Sequence, residues 1–180
     1  KADITSAPLA LVGKHGFTMK NFPAAMKKMN FFRAFGNSVF ITVTSTLVTI
    51  LLSAMTAFVI VRNKWKACTL LFSLMIASMV IPFQVLMIPL VSFYGGILGI
   101  LNHRLTLIFM HIGFSLSMAT FMFHGAIHTN IPIDLEEAAD IDGCNRWQTY
   151  WKVVFPLLKP TIATVGIINA MAYWNDYLLP

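Results

Sequence analysis

Acidic side chains are scarce in this chain, and most of them fall in one short segment. The 180 residues contain seven Asp and Glu, and most of these lie between Asp134 and Asp142. No HExxH, GxSxG or Walker A sequence accompanies them. The two cysteines, Cys68 and Cys144, form no CxxC pair, so neither a disulfide framework nor a zinc site is indicated. The residue types therefore favour a contact surface over a catalytic or metal centre.

The acidic segment is predicted to form a short helix that ends at a tight turn. Asp134 is a good N-cap and Glu137 follows three residues later, which is close to a capping box. The pattern predicts a helix over residues 135–142. Gly143 then supplies the left-handed residue that ends it.

A second short helix is predicted directly after this turn. Asn145 as the cap and Gln148 three residues later form another capping box. Pro156 and Pro160 are expected to end this helix and direct the chain back toward the membrane. One apolar stripe follows from the spacing i, i+3, i+4 and i+7, and its members are Trp147, Tyr150, Trp151 and Val154.

Two interpretations of this helix pair remain open from the residues alone. A short rigid pair can dock in a groove of a partner, with Glu137 facing a basic group and with Ala138 and Ala139 permitting close approach. The same features also fit a capped amphipathic helix at the membrane interface, where Trp147 and Trp151 serve as anchors.

The rest of the chain has the composition of a membrane protein. Hydrophobic residues make up 57% and charged residues 11%, with a mean hydropathy of +0.73, whereas soluble domains average about 25% charged residues. The charges cluster between long uncharged stretches, so we expect an all-α bundle of transmembrane helices. The predicted spans are residues 35–61, 68–94, 105–127 and 161–180, preceded by an extracytoplasmic segment, residues 1–34.

Several polar or helix-breaking residues fall inside these spans. Pro82 and Pro89 should kink or break the second span, either as a gate hinge or as a static kink. Asp176 near the end of the fourth span either lines a pathway, together with Asn175, or lies at the outer interface. His111 and His124 serve either as proton carriers or as groups satisfied by neighbouring helices. The sequence does not decide among these alternatives.

Basic residues indicate the orientation. If the acidic segment is cytoplasmic, the connection with Arg62, Lys64 and Lys66 is cytoplasmic too, and the one at Arg104 is external, as the positive-inside rule requires. The first 34 residues conflict with the rule, since they would be external and yet hold six Lys and Arg. The net charge of +6 is explained by these membrane flanks, so no nucleic-acid partner is expected. The chain starts with Lys and stops inside an apolar run, so we expect both ends to be truncated.

The acidic segment resembles the EAA motif of ABC importer permeases. That family's pattern reads EAA, three residues, G, nine residues, I, any residue, L and P, and here Val153 and Phe155 replace the isoleucine and the leucine. The matching residues are Glu137, Ala138, Ala139, Gly143, Val153, Val154, Phe155 and Pro156. Further segments look like the carbohydrate-uptake branch, of the maltose, lactose and glycerol-phosphate permease type: residues 37–38, 62–66, 81–90 and 174–180. The similarity covers most of residues 30–180.

The resemblance implies a function that the spacing alone does not. In such permeases the EAA helices, here about residues 134–155, lie on the cytoplasmic side and insert into a cleft of an ATPase dimer. The docking positions carried over are Glu137, Ala138, Ala139, Asp142, Gly143 and Pro156. The implied partners are that ATPase, a second permease subunit and an extracytoplasmic solute-binding protein.

The same resemblance implies that this chain has no catalytic activity and no cofactor of its own, because the partner ATPase binds and hydrolyses ATP. It implies a bacterial or archaeal cytoplasmic membrane and a sugar-like cargo. Relative to the family, one span is missing at the start and about one and a half at the end. The alternatives are an ion-coupled secondary transporter and an integral membrane enzyme.

Overall fold

The computed structural model describes residues 21–101 and 103–176. Within these ranges the regular structure is entirely helical, with two π-helical segments and no strand. The chain divides into two units, residues 1–38 and 39–180, which are described separately. Part of the predicted N-terminal segment, residues 1–20, and the end of the predicted fourth span, residues 177–180, lie outside the described residues.

The first unit contains a short helix and a turn. Helix α1 (Asn21–Lys28) ends in two lysines, which suit the negative end of a helix dipole. Asn30 then adopts a positive φ of 46°, which asparagine tolerates better than most residues. Helix α2 (Phe31–Arg62) begins directly after this turn.

The second unit contains the remaining helices and two π-helical segments. They are α3 (Lys66–Ser78), α4 (Phe83–Leu90) with a π-helical segment (Val91–Ile97), α5 (Arg104–Asn130), α6 (Asp134–Ile141), α7 (Arg146–Thr149) with a second π-helical segment (Tyr150–Val154) and a last turn (Phe155–Leu157), and α8 (Lys159–Trp174). Among the described residues, two helices are each long and apolar enough to cross a bilayer: α2 with 32 residues and α5 with 27. They correspond to the first and third predicted spans.

One sharp bend lies inside the second predicted span, and another directly precedes the fourth. Helices α3 and α4 form an apolar pair bent by 93° at a short break, where Pro82 is the N-cap of α4. Pro89 lies inside α4, and the wider π-helical turn follows from Val91. The predicted break is therefore found at Pro82, while the helix continues past Pro89. The second bent pair joins the run 146–157 to α8 at 72°, with Pro160 in the first turn of α8.

The hydrophobic core of the second unit lies where α2 and α5 approach the chain that runs from α7 into α8. Ala54 and Ala57 of α2 are fully buried, and such small residues let helix backbones approach closely. Phe123 and Ile127 of α5 fill the space beside them. The same core includes Tyr150, Val154, Leu158 and Val165. Residues 134–157, called the elbow below, are thus packed onto the ends of both long helices.

Candidate functional site: an acidic elbow and a cavity beside Asp176

The first elbow helix, α6, starts differently from the prediction. Asp134 is its first residue and Ile133 its N-cap, with no side-chain capping bond. The chain enters through a helical turn, so main-chain carbonyls accept the N–H groups that a cap would have bound: the amide of Glu136 donates to the carbonyl of Ile133 at 2.8 Å. The predicted Asp134 cap is therefore wrong. The acids of the first turn still lie at the positive end of the helix dipole.

The predicted end of α6 is confirmed. Gly143 has a φ of 82°, a left-handed conformation that costs glycine little. Its N–H donates to the carbonyl of Asp140 at 3.0 Å, and the N–H of Cys144 donates to the carbonyl of Ala139 at 2.9 Å. These two bonds form a Schellman motif, which satisfies carbonyls left over at the helix end.

The capping box predicted at Asn145 and Gln148 is present, unlike the one at Asp134. The side chain of Asn145 accepts the N–H of Gln148, and the side chain of Gln148 accepts the N–H of Asn145, both at 2.9 Å. The apolar stripe, in contrast, divides into two parts. Tyr150 and Val154 are buried, while Trp147 and Trp151 remain exposed at 59% and 42%. The π-helical segment between Tyr150 and Val154 has more residues per turn, which changes the side-chain register that α-helical spacing predicts.

The docking residues inferred from the family motif are mostly exposed. The exposed members are Glu137, Ala138, Asp142, Gly143 and Pro156. Ala139 is only 5% exposed and belongs to the inner face of α6. Glu137 and Asp140 border a groove of about 220 Å³ that is also lined by Arg146 and by the paired side chains of Arg62 and Glu136. Glu137 and Asp140 are its carboxylates outside that pair, and they can receive a basic side chain.

Another acid, Glu136, makes the internal ion pair of the elbow. Its Oε1 accepts from Nε of Arg62 at 2.6 Å. Glu136 and Ala139 are three residues apart and share the inner face of the helix, whereas Glu137 is exposed. The sequence pattern singled out Glu137 and did not identify the Arg62–Glu136 pair. The available signal was an arginine at the end of a span close to a carboxylate-rich segment.

A separate cavity of about 860 Å³ lies among α3, α4, α5 and the end of α8, and its mostly apolar lining includes a few polar groups near Asp176. The hydroxyl of Tyr173 donates to the carbonyl of His111 at 3.3 Å and lies 3.1 Å from Oγ1 of Thr49. Nδ1 of His111 lies 3.8 Å from Oδ2 of Asp176. Three helices are thereby joined by polar contacts at one side of the cavity.

The two predicted pathway residues both border this cavity, but they differ in their contacts. Asp176 is partly buried and close to His111. Asn175 uses its side-chain amide to donate to the carbonyl of Met171 at 2.8 Å, which caps the end of α8. His124 lies elsewhere and stacks on Phe72 with ring centroids 4.1 Å apart. Both histidines therefore have aromatic or polar neighbours on other helices.

Comparison with known sequences identifies the family. Residues 49–180 match the family described as the binding-protein-dependent transport system inner membrane component. The chain belongs to this family. Its membership confirms the resemblance inferred from the EAA motif and agrees with the all-helical fold with membrane-spanning helices.

Several curated relatives carry transport names. The probable starch degradation products transport system permease protein AmyC of Thermoanaerobacterium thermosulfurigenes is 41% identical over 165 residues, which cover 90% of this chain and 58% of the relative. The multiple sugar-binding transport system permease protein MsmG of Streptococcus mutans is 41% identical over 148 residues, covering 81% and 53%. The melibiose/raffinose/stachyose import permease protein MelC of Bacillus subtilis is 34% identical over 157 residues, covering 87% and 56%. The chain therefore spans a little over half the length of these relatives.

Proposed function

We propose that this chain is part of the membrane-spanning permease subunit of an ATP-driven, binding-protein-dependent importer of a sugar or sugar derivative. The observation that carries the proposal is the elbow, a helix pair joined by a Schellman motif and a capping box, on which Glu137, Ala138, Gly143 and Pro156 of the EAA motif are exposed. The family match and the sugar-transport names of AmyC, MsmG and MelC support it. ATP is bound and hydrolysed by a separate ATPase dimer.

The elbow is the surface on which the ATPase docks. Glu137 and Asp140 border one groove, so a basic side chain of the ATPase inserted there would meet two carboxylates. Ala138 has only a methyl side chain and Gly143 has none, so nothing projects from the surface beside the groove. The backbone of the partner can therefore approach closely. Ala139 contributes from below, because its small side chain is buried beneath the docking face.

Movement of the elbow reaches the transmembrane helices through the core. Tyr150 and Val154 are buried against residues of α2 and α5. A displacement of the elbow therefore shifts both long helices, because packed interiors transmit strain. This links nucleotide-driven closure of the ATPase to inward-open and outward-open states of the spans.

The other proposed assignments follow from the orientation. The elbow faces the cytoplasm of a bacterial or archaeal cell, and the connection at Arg104 faces outward. A second permease subunit and an extracytoplasmic solute-binding protein complete the importer. The cavity beside Asp176 is part of the sugar pathway, since a carboxylate is a good acceptor for sugar hydroxyls.

Site-specific cross-linking tests the docking role. Cys68→Ser and Cys144→Ser remove the two thiols of this chain, any cysteine in the remainder of the full-length protein is replaced likewise, and Ala138→Cys places a thiol on the exposed face of α6. We expect a bifunctional reagent to join residue 138 to the ATPase in membranes that contain the assembled importer. Ile97→Cys is the matched control, because Ile97 is 73% exposed and lies in the connection predicted to face outward.

Two results would contradict the proposal. One is labelling of the residue 138 thiol from outside intact cells by a membrane-impermeant reagent. The other is nucleotide-independent sugar uptake by the full-length protein, which would indicate an ion-coupled transporter instead.

A further inference from the structure

The side chain of Arg62 forms a junction between three helices. Arg62 is the last residue of α2. Its Nε donates to Oε1 of Glu136 in the first turn of α6 at 2.6 Å. Its Nη2 donates to the carbonyl of Ile131, directly after the end of α5, at 2.8 Å. We call this arrangement the Arg62 junction.

Each contact of the Arg62 junction is electrostatically favourable. The carbonyl of Ile131 lies at the C-terminal end of α5, where a helix dipole attracts positive charge. Glu136 is paired with the guanidinium and lies in the first turn of α6, where a dipole attracts negative charge. The planar guanidinium suits this role because its separate N–H groups can bind two acceptors in fixed directions, which a lysine ammonium does less well.

The junction is also shielded from solvent. The side chains of Arg62 and Glu136 are only 13% and 14% exposed. Ile131, whose carbonyl is the third partner, is 2% exposed. A charged pair in such surroundings is screened less by salt than a surface pair, and its geometry is restricted by packing. Lys64 in the same connection is exposed, which makes it a matched control.

We propose that Arg62 is a positioning residue that couples displacement of the docking helix α6 to both long helices. This inference rests on the proposed function and adds to it, since the EAA pattern begins at Glu137 and includes neither Arg62 nor Glu136. Core packing alone transmits force from the second half of the elbow. The Arg62 junction holds the first half, α6, to the ends of α2 and α5.

The test uses the full-length permease reconstituted in proteoliposomes with its ATPase, partner permease and binding protein. The variants are Arg62→Gln, Arg62→Lys, Glu136→Gln and the exchange Arg62→Glu with Glu136→Arg, and the controls are Lys64→Gln and Asp134→Asn. Sugar uptake and ATP hydrolysis are measured together, and their ratio is the readout. Assembly with the ATPase is measured by co-purification.

For Arg62→Gln we expect normal assembly and an increase of about tenfold in ATP hydrolysed per sugar, within the range of ordinary coupling energies. Arg62→Lys and Glu136→Gln should give intermediate ratios, since each keeps part of the pairing. The exchange should recover the ratio only in part, because a glutamate at position 62 cannot donate to the carbonyl of Ile131. The control variants should match the wild type.

Two outcomes overturn the inference. An unchanged ratio in Arg62→Gln excludes a coupling role for this residue, and loss of assembly in that variant shows a merely structural one. Both are distinguishable from failure of the proposed function, in which the wild-type assembly itself shows no ATP-dependent uptake.

Discussion

The elbow and the cavity beside Asp176 are held together in different ways. In the elbow, the bonds of the capping box and the Schellman motif join residues three to five positions apart in the chain. Beside the cavity, the bond between the hydroxyls of Thr49 and Tyr173 spans 124 positions, and the bond from the Tyr173 hydroxyl to the carbonyl of His111 spans 62. The elbow can therefore move as one body without breaking its own bonds. The cavity changes its contacts whenever α2, α5 and α8 move relative to one another.

This difference agrees with a division of labour between the two regions. A surface that transmits force benefits from stiffness, which short-range bonds supply. A pathway that opens and closes benefits from contacts that break with helix movement. The Arg62 junction is also a long-range contact, since the Arg62–Glu136 bond spans 74 positions, but in the proposed mechanism it is kept and moves with the elbow.

Charge reversal at the docking face should give the largest effect. We expect Glu137→Lys to reduce sugar uptake by more than about tenfold, since a like-charge contact at an interface costs several kcal/mol. Insertion in the membrane should be unaffected, because Glu137 is exposed. The measurement is uptake by whole cells together with the amount of protein in the membrane.

The matched control for this prediction is Asp134→Lys. Asp134 is also exposed and also lies in the first turn of α6, so the two variants carry a similar helix-dipole penalty. Asp134 does not border the groove that contains Glu137. Equal losses of uptake in the two variants would contradict docking at the groove.

Neutralising the cavity carboxylate should affect substrate affinity instead. We expect Asp176→Asn to raise the KM for sugar uptake by about tenfold, because a hydrogen bond to a charged group contributes roughly 1.5–3 kcal/mol. Co-purification with the ATPase should remain normal, since Asp176 lies outside the elbow. An unchanged KM combined with unchanged uptake would favour the alternative that Asp176 is an interfacial acid.

The contrast between short-range and long-range contacts also explains what the sequence could predict. The Asn145 capping box and the turn at Gly143 depend on neighbouring residues, and both were recognisable from spacing. The partners of Tyr173 and Arg62 lie on other helices, and no local pattern specifies them. The long uncharged stretches likewise predicted α2 and α5 well, because the bilayer sets their length.

The errors have physical causes as well. The cap predicted at Asp134 was displaced because the chain reaches α6 through a turn whose carbonyls accept the first N–H groups. The stripe through Trp147 and Trp151 assumed α-helical spacing, which the π-helical segment interrupts. Both errors concern the path of the backbone, at the entry to α6 and in the π-helical segment. Side-chain type carries little information about that path.

Two glycines with positive φ, one in the elbow and one outside it, allow a test with a smaller expected effect. Gly143 ends α6 with a φ of 82°, and Gly99 lies between α4 and α5 with a φ of 65°. A Cβ would have open space at either position. Alanine at each should therefore cost about 1–2 kcal/mol of stability through the backbone alone, measured by thermal unfolding of the solubilised full-length protein.

Uptake should fall in Gly143→Ala and remain normal in Gly99→Ala. An equal fall in both would show that general destabilisation is the cause.

The smallest expected effects concern two buried tyrosines, one from each region. Tyr173 is 7% exposed and its hydroxyl contacts Thr49 and the carbonyl of His111. Tyr150 is 1% exposed, and within the described residues its hydroxyl has no hydrogen-bond partner. Tyr173→Phe should lower the free energy of unfolding by about 0.6 kcal/mol, the average for a hydrogen bond between membrane helices, whereas Tyr150→Phe should leave it unchanged or raise it slightly. The measurement is unfolding of the full-length protein in mixed micelles. A loss at Tyr150 as large as that at Tyr173 would mean that the hydroxyl of Tyr150 makes a stabilising polar contact, in addition to the Arg62 junction of the elbow.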